Sequence, residues 1–219
     1  MKNLKQIALV AFAILSTQFY AQSKTGAVTY DMTMPDNEEM AAMGNNTIKI
    51  SFNETSTATQ MDMMGGMISI KTITLDKNNA KDTRMLMDAM GSKYEITGEE
   101  TGSFGNSDVA SLKDAETVTY NKKDTKEILG YKCYKAVVKM KGGTENNLYI
   151  TEAIVTQPKA DDKLKLAGFP LEIEVNSAKG KIIMIATAFD KAPSANCFTV
   201  PEGYEKVTQD ELRQKLGGF

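Results

Sequence analysis

Thioether sulfur is the chemistry this chain holds in quantity. Of its 14 methionines, eleven fall between Met32 and Met90. Met61, Met63, Met64 and Met67 surround a Gly65-Gly66 turn signal. Converging thioethers are soft ligands suited to Cu(I), so these four are a candidate copper site. Three other features of the spacing point elsewhere. Met32/Met34, Met61/Met63 and Met85/Met87 are every-second-residue pairs, and residues two apart in an extended chain face the same side. Methionine re-packs around irregular apolar shapes, so such pairs suit either the filling of a core or the lining of an adaptable apolar cavity. All three readings stay open on the pairs alone.

The rest of the composition removes much other chemistry. There is no histidine, which excludes Ser-His-Asp and Cys-His nucleophile systems and any His-ligated zinc, haem or Cu(II) site. Carboxylates are plentiful, but no two stand in a recognisable catalytic context, and solubility accounts for them. No enzymatic activity and no cofactor are expected. Cys133 and Cys197 are a possible disulfide if the chain is exported, and otherwise two small apolar residues.

An export signal is read at residues 1–21. Lys2 and Lys5 precede the apolar run at residues 7–15 (IALVAFAIL), and Ala21 precedes Gln22 at a plausible cut. The run is shorter than the ~20 residues a spanning helix needs, and no later stretch is long and apolar enough, so an integral membrane protein is not expected. Without the signal, 24 basic residues face 28 acidic ones, a net charge of −4. Charges of both signs are scattered with no basic stripe, which argues against nucleic acid. The remainder, residues 22–219, is read as one domain in the periplasm or outside the cell.

What must position the methionines is a run of strands. Residues 26–34 put Val28, Tyr30, Met32 and Met34 on one face, and residues 47–52 put Ile48, Ile50 and Phe52 on one face. Further strands are predicted at 55–63, 67–75, 83–88, 93–97, 116–120, 131–141, 145–151, 171–175 and 181–189, with turn signals between them. Helix signals are short. Asp36 with Glu39 begins one that ends at Gly44. Others are read at 107–112 and 161–167. Thr208 with Glu211 is a capping box before Leu212 and Leu216. About eleven strands with a few small helices imply a mainly β protein, a single large antiparallel sheet that must curl into a barrel or half-barrel. Curling would place Met32, Met34, Ile48, Ile50, Phe52, Met61, Met63, Met85 and Met87 inside one concavity.

Residues 126–135 (KEILGYKCYK), 168–175 (GFPLEIEV), 181–189 (KIIMIATAF) and 196–204 (NCFTVPEGY) resemble the C-terminal half of domain-of-unknown-function family 4412. That family of exported bacterial proteins is related to those named for a GLPGLI motif; this chain has Gly168-Phe169-Pro170-Leu171 in its place. Phe198-Thr-Val-Pro201-x-Gly203 also resembles the ending of LolA-like lipoprotein carriers. The resemblance implies an unclosed antiparallel barrel with helices as a lid. It adds a lipid or lipoprotein to the apolar small molecules expected as partners. The alternative to an apolar ligand is an envelope interaction module that holds none. Gly130, Gly168 and Gly203 are read as turn residues.

Export has a direct consequence. Protein recovered from envelope extract should begin near Gln22 by intact mass, and retention of residues 1–15 would contradict this reading.

Overall fold

Alternation in the sequence becomes alternation across a pleated sheet. The computed structural model describes residues 22–37, 44, 46–76, 79, 82–97, 114–155, 165–177 and 180–216. Its strands are β1 (Gly26–Thr33), β2 (Asn46–Phe52), β3 (Thr57–Met63), β4 (Ile68–Thr74), β5 (Thr83–Ala89) and β6 (Ser92–Thr97). They continue as β7 (Ala115–Ile128), β8 (Tyr131–Met140), β9 (Glu145–Thr151), β10 (Phe169–Ser177), β11 (Gly180–Asp190) and β12 (Glu205–Thr208). A helix, α1 (Gln209–Lys215), follows directly. The helix signals at 38–43, 107–112 and 161–164, and the export signal, lie outside the described residues.

All twelve strands form one unclosed sheet in the order β12-β6-β5-β4-β3-β2-β1-β11-β10-β9-β8-β7. β1 to β6 make one antiparallel meander and β7 to β11 a second, and pairing of β1 with β11 joins them. The sheet is strongly curled. Phe52 on β2 and Phe169 on β10 are three steps apart in the order, about 14 Å in a flat sheet, yet their ring centroids are 5.4 Å apart. Tyr131 on β8 and Phe189 on β11 meet in the same way at 5.9 Å. The main core fills the bend, with Tyr30, Met184, Ile173, Leu148, Ile150 and Ala136 buried in it.

The convex side is not uniformly polar. Ala58, Ile73 and Leu86 are buried there beneath Phe198, Val200 and Tyr204, so the C-terminal segment straps the outside of the sheet. Turn chemistry closes the hairpins. Leu129 and Gly130 both have positive φ, the two-residue primed turn that matches strand twist, and this places the Ile-Leu-Gly-Tyr stretch at a hairpin tip. Gly168 has a different reason. A Cβ there would lie 2.5 Å from the carbonyl oxygen of Thr151, so close backbone approach, not positive φ, requires the glycine.

Three features depart from the sequence reading. β12 has no counterpart among the predicted strands, because Val207 is its one buried residue, and it pairs with β6 in parallel. β7 runs through the polar stretch at 121–125, where a register shift leaves residues without partners in β8; as an edge strand it needs no apolar pattern there. Finally, the cysteines do not pair. Both are free. Cys133 lies on β8 in the main core, whereas Cys197 lies within electrostatic reach of Lys71 on β4, whose ammonium burial holds below its ordinary value. β8 and β4 are seven steps apart in the sheet order, and Cys197 lies on the C-terminal strap over Ala58, Ile73 and Leu86, a cluster separate from the main core that holds Cys133.

The protein should therefore bind two equivalents of a maleimide when unfolded without reductant. In the folded protein Cys197 should react well before Cys133, whose thiol burial pushes up to about 11. A single protected pair, resistant until reduced, would contradict the sheet order.

Candidate functional site

Strand register brings the predicted apolar residues to one face. Tyr30 stands opposite Ile48, and Ile48 opposite Met61. The row continues through Ile70 and Met87 to Tyr94. One row along, Thr72, Met85 and Ile96 lead to Val207. Met32 faces Met184 across β11, and Phe52, Ile50 and Met63 follow from the period of two. Met34 lies just beyond β1 and packs against the main core. This is the concave face.

The face is divided, however. Met32, Ile48 and Phe52 are fully buried in the main core, and Met34, Ile50 and Met61 pack against it half-buried. Around Met32, Ile48 and Phe52 sheet closes on sheet, and Met32 is filler. Met85 belongs to a second, separate cluster with Ile96, Val207 and Leu212, against which Ile70, Met87, Tyr94 and Leu216 pack. The division follows the fold: β1, β2 and β8 to β11 curl onto themselves, while β4 to β6 reach past the bend and are covered by α1.

α1 is short, so its ends matter. Thr208 Oγ1 accepts from the Glu211 backbone N–H at 3.3 Å, and the Glu211 carboxylate accepts from the Thr208 backbone N–H at 2.7 Å. Asp210 and Glu211 in the first turn and Arg213 and Lys215 in the last complement the helix dipole. Lys215 also pairs with Glu205 on β12 at 3.1 Å, tying helix to sheet edge. Even so, seven residues are too few to hold a helix by themselves. Burial of Leu212, worth ~1.5–3 kcal/mol, fixes it in place.

Between α1 and the sheet lies a cavity of about 150 Å³. Ile70, Met85, Met87 and Ile96 form its floor, and Leu212 and Leu216 its roof; Gln209 and Arg213 complete the lining. Arg213 is exposed and pairs with Asp210 at 3.5 Å. An apolar cavity of about this size takes a benzene-sized group. None of these lining side chains is a nucleophile or a general base at neutral pH, so the cavity can bind apolar matter but supplies no acid–base chemistry.

The copper candidates are divided too. Met61 packs against the main core and Met63 sits half-buried on β3, whereas Met64, at positive φ, and Met67, half-exposed, belong to the turn. They do not share one exposed loop. Other groups on the sheet are structural. Tyr30 is fully buried and donates from its hydroxyl to the Pro170 carbonyl at 2.7 Å, and burial raises its pKa well above the ordinary value.

Sequence reasoning missed Ile70, Ile96, Gln209, Arg213 and Asn46. Ile70 and Ile96 lie in alternating strands, so their face was legible and their neighbours were not. Leu212 and Leu216 showed their four-residue spacing, but not the strands that they cover. Asn46 extends the Ile48-Ile50-Phe52 face by one place, a signal masked by its polarity.

No protein-family model matches the chain, and no curated protein does. Among solved structures it is similar to an uncharacterized conserved protein from Thermus thermophilus, with a TM-score of 0.47 and 11% identity over 91% of this chain and 99% of that one. It is similar to MucB in the MucA/MucB complex of Pseudomonas aeruginosa, with a TM-score of 0.44 and 11% identity over 81% of this chain and 56% of that one. It is also similar to the Mycobacterium tuberculosis lipoprotein LppX, with a TM-score of 0.42 and 9% identity over 85% and 96% of the two chains. At these scores none assigns a function; the unclosed curled sheet stands on its own register.

Proposed function

We propose that this protein holds the apolar part of a small molecule, an acyl chain or lipid, between α1 and the Met-bearing strands. It does so without catalysis, cofactor or nucleic acid, and outside the cytoplasm. One observation carries the reading: the apolar cavity of about 150 Å³ under α1. Burial of apolar surface at ~25 cal/mol per Å² is the driving force. The cavity takes the end of a chain or a small ring. α1 gives way to admit more, since a helix this short resists displacement mainly through Leu212 and its cap, the cap contributing ~1 kcal/mol. Met85 and Met87 adapt to the occupant, so selectivity among chains is low. The solid packing of Met32, Ile48 and Phe52 favours a second reading for that half of the sheet, a rigid module that presents its outer surface to an envelope partner.

Charge in the lining separates the two. Met87 is half-buried, so Met87→Glu should fold, with its melting temperature lowered by a few degrees. It should lose retention of diphenylhexatriene at least tenfold, because an unpaired carboxylate then shares the cavity with the dye. Met85→Glu should cost more stability, since Met85 is 1% exposed. Dye retention unchanged in a folded Met87→Glu variant would sink the cavity reading.

A further inference from the structure

The concave face carries one group that apolar binding leaves unused. Asn46 opens β2 opposite Met32. Thr47 faces Asp62 across β3, so Asn46 falls beside Met63. Its side chain is buried, with 5% exposure, and its Oδ1 has no hydrogen-bond partner among the described residues. Two other buried polar groups contrast with it. Ser56 donates to the Leu75 carbonyl at 2.8 Å, and Glu95, on the convex face, lies 3.7 Å from Arg84. A buried amide oxygen left unpaired is a standing cost, and leucine or methionine would fill the same place without it.

An amide oxygen only accepts, so its complement is a donor. A deprotonated carboxylate or phosphate offers none to Oδ1 and could meet only the Nδ2 side of the amide. An ammonium would have to leave water for a site flanked by methionines, and burying an unpaired charge costs far more than one hydrogen bond returns. What remains is an uncharged O–H or N–H.

We propose that Asn46 Oδ1 accepts a hydrogen bond from the neutral hydroxyl or amide head of a single-chain lipid. The chain runs over Met61 and Met63 toward the cavity under α1. The inference rests on the apolar-ligand reading above. Geometry supports the path: Asn46 on β2 and the cavity residue Ile70 on β4 are two strands and two residues apart, about 12 Å. Half-buried Met61 and Met63 lie on the strand between. The assignment narrows the ligand to long-chain alcohols, acylglycerols with a free hydroxyl, and fatty amides. It disfavours lipids with no free O–H or N–H.

The test compares 1-dodecanol with dodecyl methyl ether, in which a methyl group replaces the donor hydrogen, as competitors for diphenylhexatriene on the mature protein. Wild type should prefer the alcohol about tenfold, the discrimination expected when a dry acceptor is satisfied or left unpaired. Asn46→Leu should erase that preference while leaving ether binding unchanged. It removes an unpaired polar group and so should not lower the melting temperature. The wild-type comparison decides the matter even without the variant. Equal binding of alcohol and ether to wild type overturns the inference, with Asn46 then satisfied by water, and leaves the cavity reading in place. If neither the dye nor the two competitors bind, both readings are overturned.

Discussion

β1 and β11 come from opposite ends of the described chain and meet in a ladder that runs from Ala27 opposite Asp190 to Thr33 opposite Ile183. Without that ladder there are two separate meanders. With it there is one sheet too wide to lie flat. The register shifts between Thr29 and Tyr30, and a bulge of this kind bends and twists the strand that carries it. Tyr30 follows the bend and reaches the Pro170 carbonyl on β10, while Phe52 meets Phe169 across it. The concave face exists because these contacts draw β2 toward β10. That closure packs the main core and leaves the apolar side of β4 to β6 to α1.

Closure is complete in one half and partial in the other. Where the sheet folds onto itself, side chains from strands three steps apart interdigitate, and methionine serves to fill what is left. Beyond the bend, β4 to β6 face no strand among the described residues. Their apolar side is covered by α1, which has two leucines to offer it. The same residue type therefore has two roles, set by what lies opposite. Met32 is fixed among rigid neighbours, and Met85 and Met87 border open space. A cavity at this end is the expected result of roofing three strands with seven residues.

Much of this was legible in the sequence. Period-two alternation located β1 to β11, and it put the three methionine pairs on one face, because register in a half-buried sheet is fixed by the apolar pattern. The Thr208–Glu211 capping box located α1. The remainder depends on which strands become neighbours. The separation of Cys133 from Cys197 is a property of strand order, which no spacing in the chain encodes. The division between filler and lining turns on where the bend falls, and the bend depends on one extra residue in β11. β12 adds to β6 through a single apolar residue, Val207, too little to stand out as a pattern. Asn46 was hidden by the rule that found its neighbours, since a polar residue is read as ending an apolar face.

The central claim is that the space under α1 is made for an apolar occupant. Native mass spectrometry of the protein, purified from the cells that produce it without added detergent or lipid, tests it most directly. The account predicts a bound species in excess of the polypeptide mass. It should be lost on denaturation, extractable into organic solvent, and absent from Met87→Glu prepared in the same way. A bare polypeptide mass in both proteins, or an adduct that survives Met87→Glu unchanged, would contradict it.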